Sequence, residues 1–317
     1  MFLFTVKRFF YAALTLAVLA IVVFFALRIA PGGPVAFLMG PDQSNREREA
    51  AIAKNLGLDQ PLLIQLWRWL GNMAKGDFGY SYFHRQDTLA VISERFPATL
   101  ELALVCFTLA IVLGVGAGAL AAYFSGSIFD KFVSNTALII LAVPSVWMGL
   151  LLIVIFAATL KILPSAGQET LGNSGNILDH LAHLILPSLS LSSGYIATFA
   201  LNTREVVAET LSADYIRTAR AKGLSESWVV FRHAIRNALI PIISLGGMAL
   251  PDLLGGSAVV EAVFAWPGIG QLMVDSFGRR DYPVVLAISM LVAVTVLFCS
   301  WLSDVLYHLA DPRIKYG

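Results

Sequence analysis

DYIRTARAKGLSESWVVFRHAIRNALIP, residues 214–241, sets Arg217, Arg220, Lys222, Arg232 and Arg236 between two apolar runs, 182–203 and 237–262. A helix needs about 20 apolar residues to cross a bilayer, so a charged break between two such runs predicts a loop joining two crossings. The loop carries helix signals of its own. Ser212 stands where an N-cap belongs and Gly223 where a glycine releases the chain, with Tyr215, Ala219 and Lys222 at i, i+4, i+7. A second helix is predicted after Ser225, with Trp228, Arg232, Ile235 and Leu239 along one face. A solvated loop needs only its charge. The placed glycine and the small residues Thr218, Ala219 and Ala221 instead predict a turn that another protein's groove can approach closely.

The rest of the chain agrees with a membrane setting. Of 317 residues, 57% are hydrophobic and only 14% charged, with mean hydropathy +0.75. A soluble domain carries about 25% charged residues. The net charge of +1 excludes a strongly basic nucleic-acid binder. Cys106 and Cys299 fall inside apolar runs and read as small hydrophobes. Apolar runs at 9–27, 98–123, 133–160, 182–203, 237–262 and 284–306 predict six transmembrane helices in an all-α integral membrane protein. The first is followed by "RIAPGGP", not a small-x-small cleavage site, so it reads as a retained helix. Pro144, Pro187 and Pro251 interrupt the runs, and "GVGAGALAA", Gly114 to Ala122, offers a small-residue face for close helix packing.

Charge sets the orientation. Residues 204–236 carry six basic and four acidic side chains. With six crossings they share a side with Lys7, Arg8, Arg313 and Lys315, which the positive-inside rule makes cytoplasmic. Arg279 and Arg280 oppose this, offset by Asp275 and Asp281. Both termini are then cytoplasmic in a multi-pass membrane protein. Residues 31–97, balanced at seven basic and seven acidic side chains, form a small, mostly helical extracytoplasmic segment with breaks at Gly57 and Pro61. The expected organisation is 1–97, the first transmembrane helix plus that segment; 98–306, the transmembrane core with the loop 204–236; and 307–317, a cytoplasmic tail.

"YIRTARAKGL…RHAIRNALIP" resembles the cytoplasmic coupling loop of bacterial ABC importer permeases of the dipeptide/oligopeptide and nickel transport family. Arg217-Thr218-Ala219 stands where the generic importer pattern has Glu-Ala-Ala, with Gly223 kept. "LGLDQPL" (Leu56–Leu62), "GDFGYS" (Gly76–Ser81), "FPATLEL" (Phe96–Leu102), "HLILPSLSL" (His183–Leu191), "EAVFAWPGIG" (Glu261–Gly270), "RDYPVV" (Arg280–Val285) and "DPRIKYG" (Asp311–Gly317) resemble the same branch, in order along nearly the whole chain. The resemblance implies a type I ABC importer permease fold and a pore-forming subunit importing dipeptides or oligopeptides. Nickel chelates, glutathione and opine-like solutes are open alternatives. It implies four kinds of neighbour: a second homologous permease, two ABC ATPase subunits, an extracytoplasmic solute-binding protein, and membrane lipid. Ala219, Arg220, Ala221, Lys222 and Gly223 would form the ATPase-docking turn. No G-x-x-x-x-G-K-[ST] loop occurs in the sequence, so ATP and Mg are expected on the partner subunits, and the chain is expected to bind no cofactor and to be no enzyme.

Five ionisable residues lie in or beside the apolar runs: Arg28, Glu101, Asp252, Glu261 and Asp304. All but Asp252 sit near predicted ends, where snorkelling to the interface is the ordinary explanation. Asp252 falls mid-helix between Pro251 and Gly255, where a charge costs about 2.5–3.5 kcal/mol on insertion scales. It reads either as a pathway-facing carboxylate or as one half of an interhelical polar pair. Glu261 and Trp266, in "EAVFAWPGIG", are candidates for the outer gate, the plain alternative for Trp266 being an interface belt. His180 and His183 form H-x-x-H, too few ligands for a metal site. An ion-coupled secondary transporter would show inverted repeats, and none is visible. A membrane enzyme would need a nucleophile–base pair or a metal cluster across its loops, and none recurs.

Overall fold

The computed structural model describes residues 2–29, 33–39, 46–173, 175–223, 225, 228 and 235–310. The protein is all-α among these residues, apart from an isolated bridge between Tyr80 and Asp87. Among the described residues four helices are long and apolar enough to cross a membrane: Arg8–Ile29, Thr88–Tyr123, Ile177–Ser212 and Tyr282–Val305. The helices Ile128–Ala142 and Ser145–Thr159 are bent by 106° and, taken as one broken span, make a fifth. The predicted crossing at 237–262 corresponds to the helix Ile235–Gly256, a joint at Ser257 and the short helix Ala258–Val263.

The prolines divide. Pro144 makes the 106° bend, because the ring drives the preceding Val143 out of helical space to φ −100°, ψ 121°. Pro187 and Pro251 do not interrupt their runs as the sequence reading expected. Both sit inside continuous helices, as do Pro97 and Pro241. In lipid a broken helix strands more backbone groups than one proline ring removes, so the helix is kept. Beside Pro187, the Ser188 hydroxyl donates to Leu184 O at 2.6 Å.

The chain forms two compact units. The first comprises residues 1–98 with 268–295. The segment after its first helix is helical at Pro34–Met39, Arg46–Asn55 and Leu62–Met73, the last two separated at Gly57 (φ 66°) and Pro61. Trp69 stacks on Phe24 of the first helix with centroids 5.9 Å apart. One core cluster joins Phe24, Leu27 and Leu66 to Tyr282, Val285 and Leu286. Asp281, fully buried, accepts hydrogen bonds from the Ser81 hydroxyl (2.5 Å) and from the backbone N–H of Tyr82 (3.0 Å) and Phe83 (3.2 Å). The "GDFGYS" and "RDYPVV" stretches, 200 residues apart, thus meet at one carboxylate.

The second unit comprises residues 99–267 with 296–317 and is organised around the helix Ile177–Ser212. Against it packs the "GVGAGALAA" face, which carries a π-helical turn at Ala110–Val115. A Cβ at Gly114 would stand 2.6 Å from Phe199 Cβ and 2.8 Å from Ile196 O; one at Gly118 would meet Ala200 O and Thr203 Cβ. Only glycine permits this approach, as the small-residue reading anticipated. Around it Ala110, Ala122, Phe199, Val207, Ile242 and Ala249 form the core. We therefore expect Gly118→Val to destabilise the protein by about 2–4 kcal/mol, the upper range for overpacking against backbone. Thermal unfolding of the purified protein measures this; an unchanged midpoint would contradict the packing.

Candidate functional site

The predicted loop 204–236 starts inside the long helix, which continues through 204–212 and ends at Ser212. Ser212 is not the N-cap of the short helix: its hydroxyl donates back to Glu209 O at 2.6 Å and closes the preceding helix. Ala213, extended at φ −70°, ψ 148°, takes that position, and its carbonyl accepts the first bond from Ile216 N–H. The short helix then runs Asp214–Ala221, with Asp214 complementing the positive end of the dipole. Asp214 and Arg217 approach to 3.4 Å in solvent, a contact worth little. Ile216 is fully buried and anchors the helix, while Tyr215, Arg217, Thr218, Ala221, Lys222 and Gly223 are exposed. Gly223 has φ +80°, a conformation that favours glycine, and the backbone reverses there. Ala219 and Arg220 lie on this helix. Of the predicted second helix, 226, 227 and 229–234 fall outside the described residues, and the chain is described again as helix from Ile235.

Eight residues before Ser212, Arg204 makes a bidentate contact with Asp130. Its Nε donates to Oδ1 and its Nη2 to Oδ2, both at 2.8 Å. Asp130 is buried, and Gly126 N–H also donates to it at 2.9 Å. The Ser127 hydroxyl caps the same helix through Asp130 N–H at 3.2 Å. The C-terminal part of Ile177–Ser212 is thereby clamped to the first turn of the bent pair. Sequence reading counted Arg204 only among the loop charges and did not mark Asp130. The available signal was Ser-x-x-Asp opening an apolar run.

At the start of the long helix lies a second polar cluster. His180 Nε2 is 2.6 Å from Glu101 Oε1, to whose other oxygen Gln168 donates at 3.3 Å. The His183 ring bonds Asp179 O at 2.9 Å. Both histidines are therefore engaged, and no group of three metal-competent side chains occurs among the described residues. Glu261 is fully buried and accepts from the Thr99 and Ser257 hydroxyls, each at 2.8 Å. Glu261 does not snorkel, since hydroxyl donors meet it inside the protein, whereas Glu101 keeps 36% of its side chain in solvent while meeting the amide and imidazole donors. Trp266 is also fully buried, with its ring 5.8 Å from that of His180, so it is not a lipid-facing belt residue in this chain.

Asp252 is exposed and has no hydrogen-bond or ion-pair partner among the described residues. The rise of 1.5 Å per residue places Arg204 about 36 Å from His180 along the helix, roughly a bilayer apart. One rod thus carries a half-buried acid–imidazole pair near one end and a clamped, exposed helix-turn at the other.

Polytopic helices, a broken span and an exposed short helix at the end of a long rod define an integral membrane protein. The chain belongs to the family "Binding-protein-dependent transport system inner membrane component", whose profile matches residues 114–316; the family's N-terminal module matches residues 1–103. It is 42% identical to the oligopeptide transport system permease protein AppB of Bacillus subtilis, over 94% of both chains. It is 40% identical to the di/tripeptide transport system permease protein DppB of Pseudomonas aeruginosa, over 92% of this chain and 93% of the relative. It is 38% identical to the glutathione transport system permease protein GsiC of Escherichia coli, over 99% of both. Among solved structures, the MetNI methionine ABC transporter in inward-facing form matches with TM-score 0.58 at 19% identity, covering 70% of this chain and 97% of that one. That likeness is one of fold.

The clamp makes a quantitative expectation. Asp130→Asn and Arg204→Gln should each cost on the order of 2–3 kcal/mol, below the usual figure for a broken buried pair because Arg204 keeps a third of its side chain in solvent. Their double variant should cost clearly less than the sum, read as a double-mutant cycle on thermal midpoints. Strict additivity would remove the clamp.

Proposed function

We propose that the chain is the pore-forming permease of an ATP-driven importer of dipeptides or oligopeptides, spanning the inner membrane six times with both termini cytoplasmic. It would pair with a second homologous permease, dock two ABC ATPase subunits that carry ATP and Mg, and receive substrate from an extracytoplasmic solute-binding protein. The observation that carries this reading is the exposed helix Asp214–Ala221, held by buried Ile216 and ended by Gly223 at φ +80°. A short exposed helix next to a clamped membrane rod suits a socket on a moving partner. Ala219, Arg220, Ala221, Lys222 and Gly223 are the proposed docking turn.

The peptide substrate class is supported by the oligopeptide and di/tripeptide relatives. Glutathione, itself a small peptide, is the second reading, supported by the 38% identity to a glutathione permease. Nickel chelates and opine-like solutes have no such support among these relatives. Asp252, an exposed carboxylate late in an apolar helix, is proposed to line the path. A charge at that depth needs water or a partner subunit. Glu261 and Trp266, buried near the opposite end from the turn, are proposed as parts of the outer gate.

A proline cannot adopt φ +80°, so Gly223→Pro should leave the protein inserted but abolish co-purification with the ATPases and substrate-stimulated ATP hydrolysis. Cysteine at position 220 should be labelled from the cytoplasmic face. Normal coupling in Gly223→Pro, or labelling from outside only, would sink the docking reading.

Asp252→Asn removes charge while keeping size. It should slow uptake roughly tenfold for substrates bearing an α-ammonium, about 1.4 kcal/mol of lost attraction, and less for those without one. Flux per folded complex unchanged for every substrate would remove Asp252 from the path.

A further inference from the structure

Arg28 is the next-to-last residue of the membrane helix Arg8–Ile29, and its guanidinium lies over the rings of Phe24 (5.1 Å) and Tyr282 (5.4 Å). Its Nε and Nη1 are buried with no hydrogen-bond partner, as are Trp69 Nε1 and Gln65 Oε1. All three side chains border one cavity of 480 Å³ in the first unit. Lys54 and Arg68 also border it, against a single acid, Asp77, which accepts from Gly79 N–H at 2.8 Å. Tyr82 completes the wall; burial pushes its phenol up to about 12, with Arg28 pulling the other way, so it remains a donor at neutral pH. Buried polar groups left unmade are costly, and three donors and one acceptor here converge on one space that is rich in positive charge.

Beside it lies an apolar groove of 640 Å³, bordered by Leu16, Ile92, Phe96, Met290 and Val294. Phe78 lines both spaces. From Leu16 to Arg28 the helix rises about 18 Å, close to one leaflet's share of a ~30 Å hydrocarbon core plus its boundary. A free phosphate or a carboxylate would account for the cavity but would leave the groove without an occupant. An acyl chain joined to a phosphate accounts for both.

We propose that the first unit binds one anionic phospholipid, its phosphate against Arg28, Arg68 and Lys54 and one acyl chain in the groove from Phe78 towards Leu16. Arginine holds phosphate through paired donors, and basic pockets at membrane-helix ends recognise lipid headgroups. Trp69 Nε1 supplies a further donor to the phosphate. Gln65 Oε1 is an acceptor, which fits a headgroup carrying hydroxyls such as phosphatidylglycerol. With the orientation proposed above, the site faces the outer leaflet.

The test is lipid retention by the full-length permease, in its complex, purified from nanodiscs of mixed phosphatidylglycerol and phosphatidylcholine and read by native mass spectrometry. Wild type should retain one phosphatidylglycerol in preference. Arg28→Gln and Arg68→Gln should each lower that preference about fivefold, the effect expected of one cation near a membrane surface. Arg68 is exposed, so its variant keeps the test open if Arg28→Gln does not fold. Ser93→Trp, which fills the groove and leaves the cations in place, should also lower retention, while Arg95→Gln should not. Equal retention of both lipids, retention unchanged in the cation and groove variants, or displacement of lipid by millimolar inorganic phosphate would overturn the proposal.

Discussion

The contact on which the larger unit depends is the approach of Gly114 and Gly118 to the backbone of Ile177–Ser212. Lipid tails are as apolar as leucine, so membrane helices gain little from burying grease and associate through close van der Waals packing instead. Two glycines one turn apart let the helix Thr88–Tyr123 come near enough for its neighbours to fill in as a dense core. With that spacing set, the positions of Thr99, Glu101 and Cys106 on the same helix follow, and so do the bonds that Glu101 and Thr99 make.

The charges follow a second rule. Three acidic side chains of this unit are matched to specific donors: Asp130 to Arg204, Glu101 to His180, and Glu261 to Thr99 and Ser257. These pairs contribute little net stability, since desolvation offsets most of their attraction. What they contribute is register. The Asp130–Arg204 contact fixes the axial position of the helix that delivers the exposed turn, and a bidentate pair tolerates little sliding. Asp252, exposed in an apolar helix, has no such match among the described residues.

Much of this was legible in the sequence, and the failures share a cause. Apolar run length located the long helices, the breaks at Gly57 and Pro61 marked the joint between two short ones, and "GVGAGALAA" was recognisable as a packing face. Each is a local property. Ser212 was misplaced by one residue because a hydroxyl that closes one helix looks the same in sequence as one that opens the next. Pro187 and Pro251 were taken for interruptions because proline's usual penalty assumes water ready to receive freed backbone groups. The pairs Asp130–Arg204 and Ser81–Asp281 could not be read at all, since they span 74 and 200 residues and leave no periodic trace.

Asp281 also has a consequence in time. The carboxylate that ties down Ser81, Tyr82 and Phe83 is made long after them, and residues 268–295 supply part of the same core. At about 5–20 residues per second, the ribosome takes roughly 10–40 s to travel from residue 98 to residue 295. For that interval the N-terminal segment waits without the carboxylate that Ser81, Tyr82 and Phe83 bond and without the core residues that 268–295 supply. Assembly of this unit is post-insertional by construction. The waiting segment is where a protease or an insertion factor would find the nascent permease unprotected.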